Sequence, residues 1–363
     1  MITSRLIRLA IPAVIVATVA AACGSSSKSP TATTGAGAST TAAANVSGTL
    51  NGSGSTFQAA YNQVAIQNFQ QKNSGATINY QGKGSGAGQT DLANQVVQFA
   101  GSDVPVPAAS LSSFKGGSIL YFPTVLGPIT VSYNLSGVKT LKLSPPTIAK
   151  IFSLKITNWN DPAIASDGNS GLPNLPITVV HRSDSSGTTA NFTAFLVKAD
   201  ATDWTLGTGK TINWAGNTVA GNGNSGVASA IKGKSGAIGY VDYSDAVKAK
   251  LTFASIKNKA GEFEAPSLAG ASKAVAGATI APDLTYNALN VAGTGVYPIT
   301  AGTWMLVYVK QTKHNVGEAL KSYINYLVTD GQKLAEPSNY APLPTSLAQQ
   351  AVTQLDKLQI PAS

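Results

Sequence analysis

"ITVVHRSDSSGTTANFTAFLVKA", residues 177–199, decides the reading of this chain. Ile177 to Val180 make a short β-branched run of the kind that forms a buried strand. Beyond it Phe192, Phe195, Leu196 and Ala199 recur at helical spacing and mark one apolar face. Between the two lies HRSDSSGTT, a turn rich in hydroxyl groups. A helix beginning there presents unpaired backbone N–H groups and a partial positive charge, which together favour an anion. Arg182 stands in this turn, and the other arginines of the chain are Arg5 and Arg8. A guanidinium is a planar fork that meets an oxyanion with paired donors, and Asp184 is close enough in sequence to hold it.

The same arrangement recurs upstream. In NGSGSTFQAAY (51–61) and the residues after it, Phe57, Ala60, Tyr61, Val64 and Ala65 give an apolar helix face, with Ser55 or Thr56 as the expected cap. TINYQ (77–81) alternates like a half-buried strand and runs into GKGSGAG (82–88) and a short helix around Leu92. Three strand-to-helix turns thus place Ser, Thr and Gly where helices start, the pattern of an α/β protein.

Composition narrows the function classes. The 363 residues suffice for two domains and a sizeable core. Of the 25 cationic residues 22 are lysines, and they are scattered; no basic cluster with interleaved aromatics appears, so nucleic acid is not an expected partner. The formal charge is +9, and +7 once Arg5 and Arg8 are set aside. Two histidines and a single cysteine rule out a metal site built on Cys and His clusters, and no cofactor is expected. LGTGKT (206–211) resembles the end of a P-loop, but the first required glycine falls on Trp204. GNGNSG (221–226) and GKGSGA (82–87) match glycine-rich fingerprints, but in a chain with 36 glycines such matches are expected by chance. A hydrolase would have to combine Ser186 with His181 and Asp184, which stands as the alternative reading.

The first 22 residues read as an export signal: a basic start, an apolar stretch too short for a confident membrane span, and small residues before Cys23. Cys23 after Ala-Ala-Ala resembles a bacterial lipoprotein site, with Ala20 where leucine is usual; its thiol is the expected lipid anchor. Residues 24–47 are Ser, Thr, Ala and Gly of low complexity, expected to be a disordered tether with a reach of about 25–30 Å.

Ordered segments along the chain resemble the phosphate-binding lipoproteins of bacterial ABC phosphate importers, PstS type, especially those of actinobacteria. They are NGSGSTFQAAY, NYQGKGSGAG (79–88), FAGSDVPV (99–106), FPTVLGPITVSYN (122–134), IFSLKITNWNDPAI (151–164), HRSDSSGTTANF (181–192), GNSGVASAI (223–231) with GAIGYVDY (236–243), and YPIT (297–300). Gln58 stands where the family commonly has proline, and Leu154 where it has glycine. The resemblance implies a two-lobed periplasmic binding protein fold of type II, α/β, with the ligand in the cleft between lobes. Residues 48–126 and 298–363 would form lobe I and residues 127–297 lobe II, with the C-terminal helix (Leu347, Ala351, Leu355, Leu358) packed on lobe I. It also implies that Thr56, Phe57 and Ser85 donate to phosphate from one side, and Arg182, Ser186, Gly187 and Thr188 from the other. Asp184 would orient Arg182, and Asp103 would accept the ligand's proton. The implied protein is a monomer and not an enzyme. It sits outside the cytoplasmic membrane, held there by its lipid alone, and hands inorganic phosphate to the permease subunits of the importer. A site for sulfate is the second alternative, against which Asp103 argues.

Overall fold

The computed structural model describes residues 46–363. The export segment 1–22, Cys23 and nearly all of the tether lie outside the described residues. Within them, β1 (Gly48–Gly54), α1 (Ala59–Lys72), β2 (Ala76–Gly82), α2 (Ser85–Ala93) and β3 (Phe99–Ser102) come first. A 15-residue strand, β4 (Ile119–Tyr133), leads to β5 (Lys142–Leu143), α3 (Pro145–Phe152) and α4 (Pro162–Ser166). Then follow β6 (Thr178–Arg182), α5 (Gly187–Ala199), β7 (Val219–Gly221), α6 (Gly223–Gly233), β8 (Ala237–Asp242) and α7 (Tyr243–Lys248). The short strands β9 (Thr252–Phe253), β10 (Ser255–Lys257) and β11 (Phe263–Glu264) precede α8 (Leu268–Ala276). The chain closes with β12 (Thr300–Tyr308), α9 (His314–Val328) and α10 (Thr345–Gln354).

The order β2-β1-β3-β12-β4-β8-β6-β7 runs through the main sheet, with β9 also paired to β4. β4 joins its two halves. Its residues Ile119–Pro128 pair antiparallel with β12, and from Ile129 onward it pairs with β8 instead. The exchange of partners falls between Pro128 and Ile129, next to a proline that has no N–H to give to a ladder. β1, β2 and β3 are mutually parallel on one side of this crossing, and β6, β7 and β8 on the other. Every β4 residue from Tyr121 on is buried, as a strand covered on both faces must be.

Two sequence expectations shift in detail. α1 begins at Ala59 with Gln58 at its N-cap and no side-chain cap, so Ser55 and Thr56 lie ahead of the helix they were expected to cap. Gln58, in place of the family's proline, is buried and donates through Nε2 to the Trp304 carbonyl (3.3 Å). The last helix stops at Gln354: Leu355 lies in a following 3-10 turn and Leu358 beyond it, although both remain buried. Gln354 ties this end to β4 through Nε2 and the Tyr121 carbonyl (2.6 Å). Leu154 adopts φ +59°, the left-handed conformation for which glycine is the easy residue.

α2 lies against β1 so closely that side chains are excluded. A Cβ on Gly88 would fall 2.5 Å from Gly54 Cα and 2.6 Å from the Ser53 carbonyl oxygen. Gly88→Val is therefore expected to destabilise the protein by about 1–3 kcal/mol, the usual cost of overpacking. A urea midpoint equal to wild type contradicts this account of the α2–β1 contact.

Candidate anion-binding site

The parallel strands of both halves end at one place, as ligand-binding strands of open α/β sheets do. β3 delivers Asp103, which is 2 % exposed. Its Oδ1 accepts from Ser55 Oγ (2.5 Å) and Thr303 Oγ1 (2.7 Å), and its Oδ2 from Ser85 Oγ at a longer 3.2 Å. Ser85, at the start of α2, also accepts the Asp103 N–H (3.1 Å), and Ser55 accepts that of Phe57 (2.9 Å). Burial raises the Asp103 carboxyl above the usual range, against the three hydroxyl bonds and the charge of Arg182, which pull it down.

β6 delivers Arg182, whose side chain is 1 % exposed. Its Nε donates to Asp184 Oδ1 (2.7 Å), its Nη2 pairs with Asp184 Oδ2, and its Nη1 reaches Thr188 Oγ1 (3.4 Å). Asp184 also accepts the Gly223 N–H (3.0 Å) at the start of α6. Burial works to raise the Asp184 carboxyl, but the bonds and charge of Arg182 outweigh it and hold the group below its ordinary range. Tyr240 supports the strand: its hydroxyl accepts the Arg182 N–H (3.1 Å) while its ring stacks on Phe192 at 4.5 Å.

Ser186 caps α5, its Oγ accepting the Thr189 N–H (3.1 Å). The amides of Gly187 and Thr188 occupy the first turn, where no helical partner exists. Asn224 joins the two sides: its Nδ2 donates to Thr56 Oγ1 (3.1 Å) and to Thr188 Oγ1 (3.2 Å). An oxygen that accepts from an amide or guanidinium keeps its own proton to give away, so Thr56 and Thr188 are set as donors.

The two sides are in contact. Gly86 N–H donates to the Ser185 carbonyl (2.9 Å), and Asn191 Nδ2 to the Asp103 carbonyl (2.8 Å). Gly187 sits directly over the partners on the other side, since a Cβ there would collide with Ser85 Oγ and both Oδ2 and Cβ of Asp103. Thr56, Ser85, Asp103, Arg182, Asp184, Ser186, Gly187 and Thr188 thus belong to one cluster. Phe57 joins it through its backbone only, for its ring is fully buried against Tyr340. Sequence reasoning missed Ser55, Thr303 and Asn224. Ser55 was expected only as a possible helix cap, Asn224 stood in a quoted motif (GNSG) without an assigned role, and Thr303 carried no signal at all.

The hydrolase alternative does not assemble. His181 and Arg182 point to opposite faces of β6, as neighbours on a strand do. The His181 ring stacks on Trp214 (4.8 Å), with Nε2 on Thr218 Oγ1 (3.0 Å) and Nδ1 on the Arg182 carbonyl (2.9 Å). Ser186 is committed to the helix cap and Asp184 to Arg182. Among the described residues no group of three or more His, Cys, Asp and Glu could hold a metal ion, and no helix is long and apolar enough to cross a membrane.

This geometry defines a solute-binding protein of the periplasmic binding class: residues 39–331 match the family model of the PBP superfamily domain. The chain is 37% identical over 309 residues to the phosphate-binding protein PstS 3 of Mycobacterium leprae, covering 82% of this chain and 84% of the relative. It is 37% identical over 285 residues to the phosphate-binding protein PstS of Xylella fastidiosa, covering 76% of each. Among solved structures it is similar to the high affinity periplasmic phosphate-binding protein PfluDING bound with phosphate (TM-score 0.70, 22% identity, 87% of this chain and 100% of that one). A phosphate binding protein from Stenotrophomonas maltophilia gives a TM-score of 0.68 at 20% identity, covering 85% of this chain and 94% of that one. The chain belongs to the PstS family of phosphate-binding proteins, and its fold is the two-lobed α/β fold of periplasmic binding proteins, type II.

Removing the Asp184 carboxylate leaves the Arg182 guanidinium buried without its counter-charge. Asp184→Asn is expected to lose about 3 kcal/mol of stability at pH 7. Because the folded carboxyl titrates below its ordinary value of roughly 4, the pair's contribution is complete above that value and disappears as pH falls below it. The gap between wild-type and variant urea midpoints should therefore close in acid; a gap that widens as pH falls contradicts the assignment.

Proposed function

We propose that this protein captures inorganic phosphate outside the cytoplasmic membrane and delivers it to the permease of an ABC importer. The observation that carries the reading is the convergence of a buried guanidinium, several hydroxyl donors and helix-start amides upon one buried carboxylate. Thr56, Phe57 and Ser85 would donate from lobe I, and Arg182, Ser186, Gly187 and Thr188 from lobe II, with Asp184 fixing the guanidinium. The partner exchange of β4 at Pro128 supports placing 48–126 and 298–363 in lobe I and 127–297 in lobe II.

Asp103 turns an oxyanion site into a phosphate site. Its Oδ1 already takes two hydroxyl bonds, while Oδ2 takes one long bond and lies beside Gly187, so Oδ2 has capacity for a further proton donor. Phosphate near neutral pH retains a proton to give. Sulfate has none, and a carboxylate against its oxygens sets two acceptors in contact at a cost of several kcal/mol. In this reading the protein performs no catalysis, acts as a monomer, and is tethered by a lipid on Cys23 after removal of residues 1–22.

Equilibrium dialysis with labelled phosphate tests the reading. Binding at roughly micromolar or below that excess sulfate leaves in place is expected; displacement by sulfate defeats the phosphate assignment. Arg182→Lys is expected to weaken binding by about 1–3 kcal/mol, and unchanged affinity would place the guanidinium outside the site. Asp103→Asn replaces one acceptor oxygen by a donor, so the ratio of phosphate to sulfate affinity should shrink; a ratio equal to wild type removes Asp103 from selectivity.

A further inference from the structure

We infer that Lys210 is an affinity-determining residue of the anion site, a cation that bridges the two halves through Gln89, the residue that holds both neighbours of Asp103. The inference rests on the phosphate reading above. It starts from LGTGKT, the motif whose P-loop reading fails at Trp204.

The loop that carries this motif is pinned to the first turns of α5. Trp204 Nε1 donates to the Gly207 carbonyl (2.7 Å), and Gly207 turns the chain at φ +76°. Thr208 Oγ1 meets Thr193 Oγ1 (3.2 Å), and the Gly209 N–H donates to the same Thr193 oxygen (3.3 Å). The Lys210 carbonyl then accepts the N–H of Ser186, the cap residue of α5 (2.8 Å). The backbone of Lys210 is thereby fixed one residue from the helix start that faces the anion.

Its side chain crosses to the other half, where Nζ donates to Gln89 Oε1 on α2. Gln89 is 5 % exposed. Its Nε2 donates to Ser102 Oγ (2.9 Å) and to the Val104 carbonyl (3.1 Å), the two neighbours of Asp103. With its nitrogen committed there, the amide turns its oxygen to Lys210. The acceptor is neutral, and Lys210 takes part in none of the ion pairs among the described residues. Burial lowers the pKa of its ammonium, in keeping with its half-buried place between the halves.

Charge balance gives this contact its effect. Arg182 is neutralised by Asp184, whereas Asp103 and a phosphate ion both add negative charge to the same enclosure. Lys210 supplies positive charge that no protein carboxylate cancels. In the open protein that charge draws the anion in; in the closed one its bond to Gln89 opposes separation of the halves.

Stopped-flow and calorimetric titration of the full chain with inorganic phosphate, at low and high salt, tests this. Lys210→Met keeps the apolar stem and removes the charge. It is expected to bind roughly tenfold more weakly at low salt, through slower association and faster release, with the deficit narrowing as salt screens the wild-type charge. Lys210→Arg, which retains a cation, should keep the wild-type salt dependence, so a folding defect at this position is separable from loss of charge. Gln89→Met should speed release while leaving the salt dependence of association unchanged. Wild-type affinity and rates for Lys210→Met at low salt overturn the inference. A wild-type chain that fails to bind phosphate overturns the phosphate reading itself.

Discussion

A carboxylate and an anion do not share a dry enclosure unless a proton lies between them, and this constraint organises the rest of the molecule. Asp103 is buried at the end of β3, held by three hydroxyl groups from β12, α2 and the loop after β1. Each of those hydroxyls exists to keep the carboxylate satisfied without an ionic partner in direct contact. Arg182 already has its counter-ion in Asp184 and lies across the cleft. In the proposed reading this arrangement leaves one acceptor oxygen, Oδ2, for the ligand's proton.

The fold makes that possible by bringing two sets of parallel strands to a common end. β4 runs through both sets and changes partner at Pro128, so a single strand fixes where one half stops and the other begins. Glycines set the closeness of approach. Gly187 lies against Ser85 and Asp103, and Gly88 against the backbone of β1, with no space for a methyl group at either. Hydroxyl and amide contacts across the gap, among them Asn224 to Thr56 and Gly86 to Ser185, join the halves through neutral groups that hydrate readily when separated.

Much of this was legible in the residues. The alternation of strand, hydroxyl-rich turn and helix is visible at 51–61, 77–88 and 177–199, and each turn does start a helix at the site. Arg182 stood out because every other cation after residue 8 is lysine. Asp103 was a site residue only by family resemblance, since an Asp before Val-Pro is an ordinary turn residue until its burial is known. Ser55 or Thr56 is the cap that local spacing favours; the Ser55 oxygen does accept the Phe57 N–H, but its proton goes to a carboxylate 48 positions later, which nothing local marks. Thr303 lies 200 positions from Asp103 and sits in an apolar strand where nothing local marks it.

The sequence by itself determined what depends on neighbours along the chain: which segments become strands and helices, where helix starts carry donors, and that one guanidinium stands beside a carboxylate two residues away. Only the tertiary structure decided which of those turns face one another, because strand order and the crossing at Pro128 are set by packing between distant segments. It also decided that Ser186 serves a helix cap while His181 turns away on the opposite face of β6, and that Lys210 reaches Gln89. Hydrogen bonds have a range of about 3 Å, and no spacing in a linear sequence encodes a distance that short between residues a hundred positions apart.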